Sequence, residues 1–113
     1  MNWESLTKTE ELEEIKKLSA NKKVLIFKHS TRCSVSAMAY DRLKRSWNEK
    51  EMEGVTPYYL DLIRFREISN KIVEEFDVEH QSPQVLLIED GKCVFHDSHF
   101  GINYQEIKKM SAA

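Results

Sequence analysis

The residue with the greatest capacity for chemistry is Cys33, one of two cysteines in the chain. A continuous apolar run from Val24 to Phe27 predicts a strand buried on both faces, and a polar loop then leads to Cys33. A helix is predicted to begin near Ser34, so Cys33 occupies a strand-to-helix turn at the carboxyl end of a strand. The unpaired N–H groups and the positive dipole of a helix N-terminus stabilise a thiolate, which is the nucleophilic form of cysteine.

The neighbours of Cys33 favour a reactive thiol over a packed one. Arg32 is adjacent and His29 is close enough in sequence to line the same loop, so we expect both to support a thiolate. Free cysteine is among the most frequently buried residue types, which makes a core position the alternative. The polar residues Thr31 and Ser34 suit an exposed loop better, and we therefore interpret Cys33 as a nucleophile.

Ser36 determines how a disulfide at Cys33 would be resolved. It follows Cys33 by three residues, which is one helical turn, on the same side of the helix. A cysteine at this position would complete a Cys-x-x-Cys dithiol, whereas a serine leaves Cys33 as a monothiol that another thiol must resolve. The Ser36 hydroxyl either donates a hydrogen bond to the Cys33 sulfur or satisfies the first turn of the helix, and both interpretations stay open.

The second cysteine and the histidines are interpreted as structural. Cys93 falls on a predicted strand next to Phe95, so we expect a packed, unreactive thiol, with a resolving cysteine as the second interpretation. A bridge to Cys33 would need the two Cα atoms within about 7 Å of each other. The segment His96-Asp97-Ser98-His99 has the residue types of a metal site, but its spacing matches no zinc signature, so no metal is expected.

The remaining pattern predicts alternating helices and strands. After the first helix, the Val24–Phe27 strand and the helix that follows Cys33, strands are predicted at 58–60, 85–88 and 93–96, with helices at 65–76 and from 103 onward. The helix after Cys33 is predicted to bury one apolar stripe, formed by Val35, Met38, Ala39, Leu43 and Trp47. Asp90-Gly91 predicts a hairpin, and Trp3 to Leu6 a short edge strand. Strands separated by helices predict a mostly parallel sheet covered on both faces.

Composition excludes several classes of protein. A length of 113 residues favours a single domain, and a net charge of −2 without a basic block gives no nucleic-acid footprint. The start of the chain lacks the charged and apolar regions of a secretory signal, and no apolar run is long enough to span a bilayer. We therefore expect a cytoplasmic protein with no membrane partner, in a compartment that keeps thiols reduced.

Three segments carry a family resemblance. They are the run from Phe27 to Ser36 around Cys33, the Ser82-Pro83-Gln84 tripeptide, and the stretch from Asp90 to His96. Together they resemble the monothiol bacilliredoxins, a branch of the thioredoxin superfamily. The resemblance implies a single thioredoxin-like α/β domain over residues 1–113, with a mixed, mostly parallel central sheet, helices on both faces and a C-terminal antiparallel hairpin. It also implies that Pro83 is cis and lies beside Cys33.

The resemblance further implies an oxidoreductase of the bacillithiol system. Cys33 would attack the bacillithiol sulfur of an S-bacillithiolated client protein, release the client thiol and carry the bacillithiol. Bacillithiol would be a thiol co-substrate, no cofactor would be tightly bound, and a reductase or second redoxin would regenerate the thiol. Ser82 would offer backbone hydrogen bonds to the substrate, and Thr31, Ser34 and Pro83 would line the same place.

Two functions of other classes remain open from the residues. The Cys-x-x-Ser arrangement is shared with monothiol glutaredoxins, which predicts a carrier that holds an iron–sulfur cluster through Cys33 and a small thiol. A thioredoxin-fold scaffold that binds partners without thiol chemistry is the other. A brown colour on anaerobic purification would indicate the carrier, and an unreactive Cys33 would indicate the scaffold.

Overall fold

The computed structural model describes residues 3–112, in which strands and helices alternate in the predicted order. The strands are β1 (Glu4–Ser5), β2 (Lys23–His29), β3 (Val55–Asp61), β4 (Gln84–Glu89) and β5 (Lys92–Ser98). The helices are α1 (Glu11–Leu18), α2 (Ser34–Ser46), α3 (Arg66–Phe76) and α4 (Tyr104–Ala112), with a 3₁₀ turn at His99–Gly101. The edge strand predicted between Trp3 and Leu6 is confirmed as β1.

The strands form one mixed sheet in the order β1-β3-β2-β4-β5. The β1–β3 and β2–β3 pairs are parallel, whereas β4 is antiparallel to both β2 and β5. All strands except β4 therefore point the same way, which confirms the mostly parallel sheet. The Asp90-Gly91 hairpin is also confirmed, because both residues have the positive φ angles, 51° and 75°, that a tight hairpin turn requires.

The helices cover both faces of the sheet, as predicted. Successive side chains of β2 point to opposite faces, so Val24 and Ile26 enter one core while Leu25 and Phe27 enter the other. Helices α1 and α3 close the first core, and α2 and α4 close the second. Residues 24–29 of β2 are therefore buried between the two cores, and the loop that carries Cys33 begins at the end of this buried strand.

The segment between α3 and β4 decides where β4 begins. Glu75 near the end of α3 pairs with Lys16 on α1, and the end of α1 hydrogen-bonds to the β4–β5 turn through Ser19. His80, only five residues further on, contacts Lys28 near the opposite end of the sheet. The chain thus returns across the sheet before β4 starts, which makes β4 antiparallel and places Pro83 at the edge where β2 ends.

One prediction about the core is wrong. Met38 was assigned to the buried stripe of α2, but its side chain is 59% exposed. Ser36 is buried instead, and a position two residues further along a helix lies about 200° around its axis. The apolar pattern misplaced the stripe because a small polar residue occupies its centre.

Within residues 3–112, no helix is both long enough and apolar enough to cross a membrane.

Candidate active site around Cys33

Cys33 is the N-cap residue of α2, with the extended backbone angles φ −113° and ψ 120°. Its N–H donates to the Ser30 carbonyl over 3.1 Å, and its own carbonyl accepts from Ala37 over the same distance. The predicted strand-to-helix turn is therefore confirmed. The side chain is half-buried and makes no capping hydrogen bond within residues 3–112, and the residue lies at the positive end of the α2 dipole.

Ser36 fixes the loop that carries Cys33. Its side chain is 0% exposed, and its Oγ accepts from the Ser30 N–H over 3.0 Å and lies 2.6 Å from His29 Nδ1. Among the described residues its hydrogen-bond partners are thus His29 and the Ser30 backbone, not the Cys33 sulfur. Ser36 ties the end of β2 to the first turn of α2, and this tie sets the path of the chain from His29 to Cys33.

His29 is buried against two tyrosine rings that also contact each other. The ring centroids of Tyr40 and Tyr59 lie 5.5 and 5.6 Å from that of His29. Burial lowers the pKa of His29 below its ordinary value, and the nearby carboxylates of Asp61 and Asp41 only partly oppose this. His29 is therefore harder to protonate than an ordinary histidine, and its Nδ1 is hydrogen-bonded to Ser36.

The exposed loop residues Thr31 and Arg32 precede Cys33, and the exposed Ser34 follows it as the first residue of α2. Opposite them lies the start of β4, because Gln84 pairs with Lys28 of β2. The Ser82–Pro83 peptide bond is cis, as the resemblance implies, and Pro83 is buried. The Pro83 carbonyl accepts from the His99 N–H over 3.0 Å. The sheet register thus brings Ser82 and Pro83 to the edge from which the Cys33 loop departs.

Cys93 lies at the other end of the sheet. It pairs with Ile88, and Ile88 pairs with Val24, so Cys93 is level with the start of β2. Five residues of strand separate Val24 from His29, roughly 16 Å at about 3.3 Å per residue, whereas a disulfide needs Cα atoms within about 7 Å. Its thiol donates to the Phe95 carbonyl over 3.3 Å, and burial raises the pKa of Cys93. The predicted packed thiol is confirmed.

Metal-binding residue types do not converge in this structure. Within residues 3–112, no group of three or more histidine, cysteine, aspartate or glutamate side chains is arranged to hold a metal ion.

Comparison with known protein families finds a matching family model. Residues 4–107 match the family model described as monothiol bacilliredoxin BrxC. The chain belongs to the monothiol bacilliredoxin family.

Solved structures place this bacilliredoxin in the thioredoxin fold. A candidate oxidoreductase with a thioredoxin fold is 30% identical, with a TM-score of 0.79, over 94% of this chain and 90% of its own. Thioredoxin from Fasciola hepatica is 17% identical, with a TM-score of 0.73, over 96% of each chain. Thioredoxin from Malassezia sympodialis is 13% identical, with a TM-score of 0.76, over 99% of this chain and 92% of its own. Family and fold together support a redox function for this bacilliredoxin.

The sequence interpretation missed one buried residue of the bacilliredoxin, Lys28. It ends the apolar run of β2, is 0% exposed, and lies 2.7 Å from His80 Nδ1. The available signal was a charged residue directly after four apolar ones, at a position whose alternation points into a core. Its partners lie more than fifty residues away in the chain, so no local pattern could identify them.

The neutral state of His29 should make the stability of this bacilliredoxin depend on pH. An unfolded histidine titrates near 6.5, so below that pH the unfolded chain binds a proton that folded His29 does not. We expect the free energy of unfolding to fall as the pH drops from about 7 to about 5, and His29→Gln to reduce this dependence. Urea denaturation across this range measures it.

His96→Gln, on an exposed position of β5, is the matched control, because it makes the same replacement away from the site. His80 also has a lowered pKa, so part of the dependence should persist in His29→Gln. An unchanged pH dependence in His29→Gln would contradict a neutral, buried imidazole.

Proposed function

We propose that this bacilliredoxin removes bacillithiol from S-bacillithiolated proteins by monothiol exchange at Cys33. The observation that carries the proposal is the isolation of this thiol. Cys33 caps a helix N-terminus at the surface, Ser36 occupies the place of a second cysteine, and Cys93 lies at the far end of the sheet. A thiol in this setting can accept a small thiol from a mixed disulfide and hold it.

The exchange consists of two balanced steps. In the first, the Cys33 thiolate attacks the bacillithiol sulfur of the client's mixed disulfide, so a Cys33–bacillithiol disulfide forms and the client leaves as a thiolate. In the second, an external thiolate attacks the bacillithiol sulfur on Cys33, which restores the Cys33 thiolate and releases the bacillithiol in a new disulfide. Free bacillithiol, or a second redoxin or reductase, would serve as that external thiol.

Each part of the site has a role in these steps. Cys33 is the N-cap residue of α2, where the positive end of a helix dipole would favour the nucleophilic form of a thiol. Ser82, beside Pro83, would pair with the client backbone as an added strand does, a contact that ignores side-chain sequence and suits many clients. Thr31 and Ser34 would line the bacillithiol, with Arg32 alongside. The thiol chemistry needs a reducing compartment, so we place the protein in the cytoplasm.

Intact-mass spectrometry of the protein mixed with a bacillithiolated client tests the proposal. We expect one bacillithiol to move onto the protein while the client regains its free thiol, and peptide mapping to find the adduct on Cys33. A client that stays modified, with no adduct on the protein, would overturn the exchange. Visible absorbance after anaerobic purification would then test the iron–sulfur carrier in its place.

A further inference from the structure

Lys28 is a buried cation without a carboxylate partner. Its side chain is 0% exposed, and none of the ion pairs found within residues 3–112 includes it. Removing an ammonium from water is costly, and burial accordingly lowers the pKa of Lys28 to about 8. An apolar side chain of similar length would fill this position at lower cost, so the polar contacts made by the lysine need a reason.

Those contacts converge on one segment. Lys28 Nζ lies 2.7 Å from His80 Nδ1 and donates to Gln84 Oε1 over 3.2 Å. Gln84 Nε2 in turn donates to the Glu79 carbonyl over 3.1 Å, and Ser69 Oγ on α3 lies 3.4 Å from the same His80 nitrogen. One ammonium therefore organises both ends of residues 79–84, the segment that contains the cis Ser82–Pro83 bond.

Lys28 also lies close to Cys33 along the chain. Lys28 is five residues before Cys33, on the strand whose end leads directly into the Cys33 loop. The Lys28 contacts lie on the α1–α3 side of the sheet, whereas His29 faces Ser36 on the α2 side. Adjacent residues of β2 thus hold the two halves of the site, His29 fixing the Cys33 loop and Lys28 fixing the 79–84 segment.

From this juxtaposition we propose that Lys28 is a positioning residue for exchange at Cys33. It holds residues 79–84 so that Ser82 and Pro83 lie where a client chain must bind next to the thiol. The inference rests on the proposed function for its substrate, although the tie between β2 and the segment stands by itself. Lys28 does not touch the reacting sulfurs, and its loss should weaken client binding more than thiol reactivity.

Lys28→Met tests this inference, because methionine keeps an unbranched apolar stem and removes the three donors. We expect faster amide hydrogen exchange in residues 79–84, a rise in KM for a protein mixed disulfide of about tenfold, and a change in kcat of less than about threefold. The rate of Cys33 alkylation by iodoacetamide should stay within about twofold of the parent rate, since the N-terminus of α2 is unchanged. Lys16→Met, which removes a half-buried lysine paired with Glu75 at the other end of the sheet, is the matched control.

A second variant and a second substrate keep the test decisive. His80→Ala removes the nearest hydrogen-bond partner of the Lys28 ammonium by a change at an exposed residue. It should also raise KM, and it serves as the test if Lys28→Met fails to fold. The kinetics are run on a client carrying bacillithiol and on the same client carrying thionitrobenzoate. If the parent protein acts only on the thionitrobenzoate client, the proposed function is contradicted. The Lys28 inference is then judged by comparing KM for that client between the parent and Lys28→Met.

Two results would overturn the inference itself. One is hydrogen exchange in residues 79–84 that matches the parent, because Lys28 would then not hold the segment. The other is faster hydrogen exchange with KM unchanged on both substrates, because the tie would then serve folding alone.

Discussion

Cys33→Ala is expected to stop the transfer of bacillithiol from clients. The rate should fall at least about 10³-fold, to the background rate measured without protein. Alanine removes the sulfur that would attack the mixed disulfide and carry the bacillithiol. No other thiol in residues 3–112 lies at a helix N-terminus, and Cys93 is half-buried with its S–H directed at the Phe95 carbonyl. The measurement is the initial rate at which the client thiol appears, followed by intact mass.

Cys93→Ala is the matched control for this loss. It also removes one thiol from the chain but leaves the edge of the sheet around Cys33 untouched. We expect its exchange rate to stay within about twofold of the parent. Its free energy of unfolding should fall by about 1 kcal/mol, because a half-buried sulfur is lost from the core. A comparable loss of exchange in both variants would contradict the monothiol mechanism.

Ser36→Cys is expected to convert the protein from a monothiol to a dithiol. Residue 36 is one helical turn from Cys33, a separation that a disulfide can span. The new thiol would attack the Cys33–bacillithiol disulfide from within the molecule, release bacillithiol and leave an internal disulfide. Because a well-oriented neighbouring group acts at an effective concentration far above that of millimolar external thiol, the adduct lifetime should shorten on the order of 100-fold.

Quenched-flow trapping followed by mass spectrometry measures this lifetime. Ser34→Cys is the matched control, because adjacent helical residues do not face each other and the adduct should persist. The substitution also removes the hydrogen bonds of Ser36 to His29 and Ser30, which should cost about 1–3 kcal/mol of unfolding free energy. An adduct as long-lived in Ser36→Cys as in the parent would contradict the placement of residue 36 beside the thiol.

The parts of this fold that follow local pattern could be predicted from the sequence. The apolar run at Val24–Phe27 specified the central strand, and the Asp90-Gly91 pair specified the hairpin, because both signals depend on a few adjacent residues. The position of Cys33 at the start of α2 followed from the same kind of signal. Met38 was misplaced because hydrophobicity alone cannot show that a serine occupies the centre of the buried face.

The parts that depend on distant residues could not be predicted. Nothing near Ser36 in sequence shows that its hydroxyl bonds to His29, since that pairing exists only once α2 packs on β2. The contacts of Lys28 with His80 and Gln84 bridge more than fifty residues of chain. They arise because the segment after α3 crosses back over the sheet, a path that periodicity does not encode. The position of Cys33 at a strand-to-helix turn could therefore be predicted, whereas the contacts of Lys28, His80 and Gln84 could not.

The distance between the two cysteines also determines what the proposed cycle responds to. With no internal partner, loaded Cys33 consumes one free bacillithiol and yields one bacillithiol disulfide when it is cleared. At equilibrium the loaded fraction then follows the ratio of the disulfide to the free thiol, and diluting both together leaves it unchanged. Reduction of an internal disulfide would instead consume two free thiols, and the ratio of disulfide to dithiol would fall with the square of the free thiol concentration. In the proposed cycle, the separation of Cys33 from Cys93 along the sheet would therefore make the protein respond to the ratio of oxidised to free thiol rather than to the total thiol concentration.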